Sequence, residues 1–412
     1  MRRWLLPLVA GVSILTSPVV APVATANGVG TIYVTHGADN LVSVLSGAVG
    51  EVLSSIDVGA EPRAVVYSGD GRFAYVANRG SNTVSVIEAP IDSVVKTYPV
   101  GGPPGALVLD PTNRYLYIAS PTSNQVNVMD TATGARVGSL TTHAPPAGVA
   151  LALGGSRLVV TVPSERSLAL FDISGRIVST VVVGDGAGPV VVAPSSNLAF
   201  VANVESNSVT MVDVLRREAL ASIAVGQSPS ALAVAPDSRT LFVANAGNNT
   251  ISFVDIEAAR VRSTLAVGRG PNALALSPDG KTLYVVNGRD ATVAVIDPVS
   301  ELVQKVIKVK DDPNGIAISP LQPNLLPGGL PGVTQPGGAP PTSVTSDSPR
   351  PGATPSTELP APAPPPAIAP RPPVPAGLPR TGDGSSARGG TTVGLVLAAI
   401  GLVALLRVGI RR

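Results

Sequence analysis

The 412-residue chain contains no cysteine and two histidines, and 14% of its residues are charged. The lack of cysteine excludes disulfides, thiolate nucleophiles, cysteine-ligated zinc, iron–sulfur clusters and c-type haem, and two histidines argue against a multi-histidine metal centre. The net charge is +2, but residues 27–320 carry 20 Lys and Arg against 24 Asp and Glu, which is −4. Nucleic-acid binding needs cations clustered on the folded part of the chain, so nucleic acid is excluded as a partner.

The N-terminus has the pattern of a secretory signal peptide. An arginine pair precedes an apolar run, and Ala24 and Ala26 form an A-x-A cleavage pattern. The alternative is an uncleaved membrane helix, but interior prolines disfavour it because they break helices. We therefore expect residues 1–26 to be removed after export. The residues around the arginine pair fit the twin-arginine pattern poorly, so we favour the Sec route.

The middle of the chain repeats itself seven times. Similar segments begin, at intervals of 41 or 42 residues, at Tyr33, Tyr75, Tyr117, Val159, Phe200, Phe242 and Tyr284. Each follows a version of V-G-x-x-P-x-A-L-A-x-S-P-D-G-x-x-L, which is clearest over Val267–Leu283. Each unit holds four short apolar runs separated by turn signals, which is typical of a β-propeller blade. A solenoid is the alternative, but it would need polar capping repeats, and none is evident.

The ends of the repeat array predict a closed ring. Residues 314–320 form a first-strand segment with no second strand after it, and residues 31–35 form a second-strand segment with no first strand before it. Pairing them completes one blade and removes an open sheet edge. We therefore predict an all-β fold over residues 27–320. It is a monomeric seven-bladed propeller of four-stranded antiparallel blades, closed by pairing of its N- and C-terminal strands.

Four of the second-strand segments share a motif: Tyr75-Val-Ala-Asn78, Phe200-Val-Ala-Asn203, Phe242-Val-Ala-Asn245 and Tyr284-Val-Val-Asn287. They resemble the YVTN-type β-propeller repeat of prokaryotic surface proteins, and the resemblance covers residues 31–320. The fourth unit departs most, because Val159-Val-Thr-Val162 lacks both the aromatic residue and the Asn. The resemblance implies a seven-bladed propeller on an exported protein. It does not imply one activity, because propellers serve as enzymes, electron-transfer modules and binding platforms.

The composition changes after the repeats. Residues 321–377 contain 18 prolines in 57 positions. Such a segment buries too little apolar surface to fold, and its proline runs favour polyproline II. We predict a disordered stalk that spans the cell wall. A proline-rich ligand for SH3-like partners is the alternative, and it suits a location outside the cell less well.

The last segment, residues 378–412, combines a pentapeptide, a spacer, an apolar run and a basic tail. The pentapeptide is Leu378, Pro379, Arg380, Thr381 and Gly382. It resembles the L-P-x-T-G sorting motif of sortase substrates in Gram-positive bacteria. The resemblance implies that sortase cuts between Thr381 and Gly382 and joins Thr381 covalently to peptidoglycan at the cell surface. The alternative is a retained membrane helix, although the fourteen residues of Val393–Leu406 span about 21 Å of a ~30 Å hydrocarbon core.

Charged loop residues provide the candidate binding face. By family analogy, the loops that join second to third strands, and fourth strands to the next first strand, lie on one face that usually carries binding sites. The candidates there are His36, Arg79, Glu165, Arg166, Glu205, Arg289 and Asp290. Their charges are mixed and differ between blades, which is compatible with a binding surface and with ordinary solvated loops.

Residues that recur in most blades are predicted to be architectural. We interpret Asn78 and its counterparts as turn residues that adopt left-handed geometry and bond their own backbone. The Asp residues that close the third strands are interpreted as turn residues that accept local N–H groups; they are Asp130, Asp172, Asp213, Asp255 and Asp297.

The sequence assigns no catalytic residue, metal ligand or cofactor. Asp311 and Asp312 are the best local candidates for calcium, but no D-x-D-x-D-G loop is present. We expect a non-enzymatic scaffold that binds a protein, glycan or matrix ligand. The alternative is an extracellular lactonase-like hydrolase, because similar propellers resemble the lactonase family. Such enzymes gather acidic, histidine and arginine groups at the channel mouth, often with a metal, and His36 and His143 form no convincing constellation. A quinone- or haem-dependent redox propeller fits less well.

Overall fold

The structure is a computed structural model that describes residues 30–47 and 50–320. The predicted signal peptide, stalk and sorting signal, with Ala24, Ala26 and residues 378–382, lie outside the described residues.

The described residues form seven sheets, each with four antiparallel strands. The strands are numbered in chain order. Blade 1 consists of β28 (Pro313–Ile318), β1 (Thr31–His36), β2 (Leu41–Ser46) and β3 (Val52–Asp57), and blade 2 consists of β4 (Pro62–Tyr67), β5 (Phe73–Asn78), β6 (Thr83–Glu88) and β7 (Ser93–Pro99). Blade 3 consists of β8 (Leu107–Leu109), β9 (Tyr115–Ser120), β10 (Gln125–Asp130) and β11 (Arg136–Thr141), and blade 4 consists of β12 (Val149–Ala152), β13 (Arg157–Val162), β14 (Ser167–Asp172) and β15 (Ile177–Val182).

The remaining blades follow the same order. Blades 5 to 7 consist of β16 (Ala187–Val192), β17 (Leu198–Asn203), β18 (Ser208–Asp213) and β19 (Glu218–Ala224); β20 (Pro229–Val234), β21 (Thr240–Asn245), β22 (Thr250–Asp255) and β23 (Arg260–Ala266); β24 (Pro271–Leu276), β25 (Leu283–Asn287), β26 (Thr292–Asp297) and β27 (Leu302–Lys308). Three short 3-10 helices lie at Ala89–Ile91, Leu153–Gly155 and Pro163–Glu165. Within the described part of the chain, no helix is long and apolar enough to cross a membrane.

The seven sheets form a ring because the first strand of each blade contacts the first strands of both neighbouring blades. Second and third strands are mostly buried, since each blade packs between two others, whereas outer strands such as β27 are largely exposed. Small residues allow the inner strands to approach closely. A Cβ added at Gly315 would lie 2.5 Å from the Arg63 carbonyl oxygen in the next blade.

Blade 1 confirms the predicted closure. Strand β28 pairs antiparallel with β1, with Ile318 opposite Ile32 and Gly315 opposite Thr35. The Gly315 N–H also donates to Thr35 Oγ1 at 2.9 Å. The all-β, seven-bladed, four-stranded fold is therefore as predicted.

Each junction between blades has its own apolar core. At the closing junction, Tyr284 and Val286 of blade 7 pack with Ile32, Val34 and Leu45 of blade 1. Fully burying an aliphatic side chain of this kind contributes about 1.5–3 kcal/mol. Because the seven junctions close a ring, each blade depends on both of its neighbours. Opening one junction exposes the packed faces of two blades.

The repeated Asp residues behave as predicted. Asp130 Oδ1 accepts the Thr133 and Ala132 N–H groups, and Asp172 Oδ1 accepts the Ser174 hydroxyl and the Arg176 and Ser174 N–H groups. These local bonds stabilise the ionised carboxylate and lower the pKa of both Asp residues.

The repeated Asn residues are architectural, but the predicted mechanism is wrong. Asn203 ends a second strand, is fully buried and is not in the left-handed region. Its Nδ2 donates to Ser208 Oγ at 3.0 Å and Thr210 Oγ1 at 2.9 Å, and its Oδ1 accepts the Gly184 N–H at 3.1 Å. The side chain thus joins two strands and the preceding inter-blade loop. The left-handed turn positions belong to other residues, including Asn40, Asn82, Asn207 and Asn249.

Glycine accompanies Asn at this joint. A Cβ added at Gly226 would lie 2.5 Å from Asn245 Cγ, and one at Gly268 would lie 2.7 Å from Asn287 Cγ. The Gly of V-G-x-x-P therefore makes room for the Asn side chain of the next blade. In blades 1 and 4, which carry His36 and Val162 at the Asn position, Lys310 and His143 stand at the Gly position.

Candidate functional site

Two sets of loops meet on one face of the ring, here called the upper face. It holds the loops from second to third strands and from each fourth strand to the next first strand. The Arg79 N–H donates to the Glu61 carbonyl at 2.9 Å, and the Gly288 N–H donates to the Gly270 carbonyl at 2.9 Å. These bonds join the two sets, as the family analogy predicts.

The axis of the propeller opens into a small apolar recess on the upper side, here called the mouth recess. Its volume is about 310 Å³, and its lining includes Ala64, Ala106, Leu107, Gly148, Val149 and Pro189. None of the lining residues is titratable. The recess is bordered by inner strands of blades 2 to 5. In blades 3 and 4 these strands start late, because Pro- and Gly-rich segments, residues 101–105 and 144–148, precede them.

The other half of the mouth is polar. The second residue of the inner strand is polar in blades 1, 2, 6 and 7; these residues, here called the polar arc, are Asn314, Arg63, Ser230 and Asn272. At the same position of the repeat, blades 3 to 5 carry Gly105, Ala147 and Gly188. The mouth therefore presents a polar side and an apolar side, which suits an amphipathic ligand.

The polar arc is ordered by hydrogen bonds to neighbouring blades. Arg63 Nη1 donates to Asn314 Oδ1 at 2.8 Å, and Asn272 Nδ2 donates to the Pro313 carbonyl at 2.9 Å. Ser230 Oγ donates to the Pro271 carbonyl at 2.6 Å. Arg63 Nε and Asn272 Oδ1 are buried without a partner among the described residues. Buried polar atoms in native proteins are normally paired, so these two retain hydrogen-bonding capacity.

Most predicted binding residues lie on this face. The exposed ones are Arg79, Glu165, Arg166, Glu205 and Arg289, and Asp290 is partly exposed. Two ion pairs connect loops of this face. Arg166 Nε lies 2.5 Å from Asp185 Oδ1, and Arg269 Nε lies 2.5 Å from Asp290 Oδ1. The Arg269 backbone N–H and guanidinium both donate to Asp290 and lower the pKa of its carboxyl.

His36 was predicted to belong to the exposed binding face, but its side chain is fully buried. It ends β1 beside the closing strand. Its Nδ1 lies 3.0 Å from the Lys310 carbonyl oxygen and 3.2 Å from that of Asp311, so Nδ1 carries a proton to donate. Nε2 is buried with no partner among the described residues. His36 therefore secures the loop before β28 and is not available to a surface ligand.

His36 should make the propeller less stable in mild acid. Burial lowers its pKa below the ordinary 6.5, although the carbonyl bonds and Asp39 oppose the shift and Lys310 adds to it. The unfolded chain therefore binds the proton more readily than the folded chain. The stability that comes from keeping His36 neutral is complete above pH 6.5, and it is lost as the pH falls toward the lower folded-state pKa. We expect His36→Gln to reduce the difference in melting temperature between pH 7.5 and pH 5.

The control for that experiment is His143→Gln. His143 is exposed on the upper face, so this variant leaves the buried ring of His36 in place, and its melting temperature should still fall between pH 7.5 and pH 5. A His36→Gln protein whose melting temperature falls as much as that of the wild type between the two pH values would contradict the assignment.

Comparison with protein families places the chain in a known group. The family model described as lactonase, 7-bladed beta-propeller, matches residues 50–152 and 174–311. The chain belongs to the lactonase seven-bladed β-propeller family. Comparison with curated proteins finds no match.

Solved structures share the fold of this lactonase-family member. A functionally unknown protein from Desulfotomaculum acetoxidans is 16% identical with a TM-score of 0.65, and the match covers 71% of this chain and all of that one. A putative 6-phosphogluconolactonase from Bacteroides uniformis has 16% identity, a TM-score of 0.61 and the same coverages. Hydrazine synthase from Kuenenia stuttgartiensis has 23% identity and a TM-score of 0.59, covering 65% of this chain and 92% of that one. At these identities the likeness shows the fold alone.

One acid–histidine pair lies on the upper face of this lactonase-family chain. His143 Nδ1 is 3.8 Å from Glu165 Oε1, and Ser167 Oγ donates to Glu165 Oε2 at 3.4 Å. His143 is mostly exposed, so its ring meets solvent. A carboxylate beside a histidine can orient the ring and support general base catalysis. Arg166, which pairs with Asp185 at the next blade junction, lies beside Glu165 in the loop between β13 and β14.

The described residues contain no group of three or more His, Asp or Glu side chains placed to hold a metal. Asp311 and Asp312 are both exposed. Asp312 Oδ2 lies 3.3 Å from Asn314 Nδ2, so an amide N–H donor, rather than another oxygen ligand, faces this carboxylate. Neither residue belongs to such a group among the described residues.

Sequence reasoning missed Ser230, Asn272 and Asn314 of the polar arc. Each of its members occupies the position after the Pro of V-G-x-x-P-x-A, so aligning the repeats on that Pro would have brought Arg63, Ser230, Asn272 and Asn314 together. The charged loop residues drew attention because they are variable and solvated, whereas these four are partly buried at the axis.

Proposed function

We propose that this lactonase-family propeller is an exported, cell-wall-anchored binding scaffold whose upper mouth holds a protein, glycan or matrix ligand. One observation carries the proposal: the mouth recess is lined by apolar and glycine residues, with no titratable group in its walls. A recess of that kind binds through shape and apolar contact, and the polar arc beside it supplies hydrogen bonds. Hydrolysis would need a base, a nucleophile or a metal at the place of binding.

Wall attachment is the expected context of this scaffold. The predicted signal peptide, proline-rich stalk and sorting signal support it. Muramidase digestion of cell walls, followed by mass spectrometry of the C-terminal peptide, tests it. A peptide that ends at Thr381 with a peptidoglycan remnant is the expected product. A chain that continues through Leu406 to Arg412 would replace wall anchoring with membrane tethering.

The binding role is tested with solubilised peptidoglycan fragments as the first probe. We expect saturable binding to the full-length protein and at least a tenfold loss of affinity in Asn272→Ala. That change removes a polar-arc amide whose Oδ1 has no partner among the described residues. Asn197→Ala, on the opposite face, is the matched control and should bind like the wild type. No binding would exclude this ligand, and equal loss in both variants would exclude the mouth.

Lactone hydrolysis is the second candidate function. Family membership and the His143–Glu165 pair support it, and a solved structure of the same fold is described as a putative 6-phosphogluconolactonase. We expect no hydrolysis of 6-phosphogluconolactone or gluconolactone above the uncatalysed rate. Activity that His143→Ala abolishes, or activity dependent on a tightly bound divalent metal, would make the enzyme the leading function.

A further inference from the structure

A second cavity lies away from the mouth, between blades 3 and 4. Its volume is about 390 Å³, within the range of small-molecule sites. Leu140, Leu151 and Leu158 form apolar walls, and the turn between the third and fourth strands of blade 4, residues 173–176, lies at its edge. This cavity, here called the inter-blade cavity, is separate from the residues that line the mouth recess.

One residue that lines the cavity, Gly138, has no side chain. Gly138 in β11 pairs with Val128, and a Cβ added there would meet nothing within 4 Å. In blade 2 the residue at the same register position is Lys96, which reaches the next blade and donates from Nζ to the Ala132 carbonyl at 3.0 Å. Gly138 cannot bridge to blade 4 in this way, so the space beside it remains open.

The aromatic residue of the third repeat is left uncovered by this gap. Its counterparts Tyr33, Tyr75, Phe200, Phe242 and Tyr284 are at most 4% exposed. Tyr117 is only partly buried and lines the cavity, and Tyr115 lines it as well. Neither tyrosine hydroxyl has a hydrogen-bond partner among the described residues. Burial raises the pKa of Tyr117, so its hydroxyl stays neutral and can donate or accept.

A fixed carboxylate completes the lining. Asp172 Oδ1 accepts bonds from Ser174 Oγ and the Arg176 N–H, whereas Oδ2 has no partner among the described residues. An ionised carboxylate accepts hydrogen bonds and cannot donate them. The cavity therefore offers apolar walls, an open tyrosine ring, two tyrosine hydroxyls and one carboxylate acceptor. A flat ring can pack against the apolar walls and the tyrosine ring, and a donor on that ring can bond to the carboxylate.

We propose that the inter-blade cavity binds an aromatic compound of one or two fused rings that carries a hydroxyl or ring N–H donor. The ring packs against Tyr117 and the leucines, where offset or edge-on aromatic contacts add to apolar burial. The donor reaches the Asp172 carboxylate or a tyrosine hydroxyl. Neither the wall anchor nor the upper mouth is involved, so this site is independent of the proposed scaffold role.

The test is calorimetric titration of the full-length protein with 1-naphthol. We expect saturable one-to-one binding. Gly138→Leu fills the cavity without meeting a neighbour within 4 Å of its Cβ and should weaken binding at least tenfold. Tyr117→Phe removes one hydroxyl and should weaken it about three- to tenfold, as for one hydrogen bond. Ser54→Leu, at the same register position in blade 1, should bind like the wild type.

A second variant guards against misfolding of Gly138→Leu. Ile173 lines the cavity and is 77% exposed, so Ile173→Asp leaves the core intact. It should weaken 1-naphthol binding while keeping the wild-type melting temperature. The proposal is overturned if 1-naphthol does not bind saturably, because the cavity is then a packing gap. It is also overturned if the folded Gly138→Leu or Ile173→Asp protein binds like the wild type.

Discussion

Deletion of residues 313–318, the strand β28, is expected to abolish cooperative unfolding of the propeller. This strand is the inner strand of blade 1 and touches the inner strands of blades 2 and 7. It also brings Ile316 and Ile318 to the core of the closing junction. Without it, β1 has an unpaired edge and the ring is open. Differential scanning calorimetry of the full chain should show no sharp transition, whereas deletion of residues 321–326 should leave the transition unchanged.

A single substitution in β28 should lower the stability of the ring to a smaller extent. Gly315→Val places a Cβ 2.5 Å from the Arg63 carbonyl oxygen and 3.0 Å from Thr35 Oγ1, and the first of these atoms is backbone and cannot turn away. Overpacking of this kind costs about 1–3 kcal/mol or more. Gly138→Val is the matched control, since its Cβ meets no atom within 4 Å. Equal melting temperatures for the two variants would contradict the view that the closing seam controls the ring.

The closure could be predicted because it follows from counting strands. Residues 31–35 and 314–320 were the two halves of one blade, and the register of Ile32 opposite Ile318 confirms that pairing. Turn chemistry was equally local, so Asp130 and its counterparts were interpreted correctly. Both inferences use only sequence spacing and the hydrogen-bonding capacity of one side chain. They needed no knowledge of how neighbouring blades pack.

Contacts between blades could not be predicted in the same way. Asn203 was assigned to a turn, yet its amide meets Gly184 of the preceding loop and two hydroxyls of the next strand. His36 was placed on the surface because its loop is on the upper face, but its ring is buried and its Nδ1 bonds to the carbonyls of Lys310 and Asp311. The partners of His36 lie at the other end of the repeat array, and those of Asn203 lie on the adjacent strand and in the loop before the blade. Sequence spacing does not show that these atoms meet.

The candidate binding surfaces also lie where residues differ between repeats. The repeat supplies one geometry seven times, and sites arise where a copy departs from it. Arg63 and Asn272 stand where blades 3 to 5 carry Gly or Ala, and Gly138 stands where Lys96 bridges blades 2 and 3. Recurrent residues hold the ring together, whereas exceptional ones shape its recesses. Replacing a recurrent residue should therefore lower stability, whereas replacing an exceptional residue should lower binding.

Asn203→Ala is the sharpest test of the recurrent class. The variant loses bonds to Ser208, Thr210 and the Gly184 N–H, and leaves buried polar groups without partners. At about 0.5–1.5 kcal/mol for each bond, plus the cost of unsatisfied groups, we expect the free energy of unfolding to fall by about 2–4 kcal/mol. Urea denaturation measures it. The exposed Asn248, which accepts the Gln227 N–H at 3.2 Å, should cost under ~1 kcal/mol when replaced by Ala.

The repeats also supply an internal comparison. Asn78 donates to Thr83 and Ser85 as Asn203 does to its own hydroxyls, but its Oδ1 is buried without a partner among the described residues. Asn78→Ala therefore loses one bond fewer and removes an unsatisfied acceptor. It should cost about 1 kcal/mol less than Asn203→Ala. If the two cost the same, the Gly184 bond contributes nothing, and the joint between loop and blade depends on packing alone.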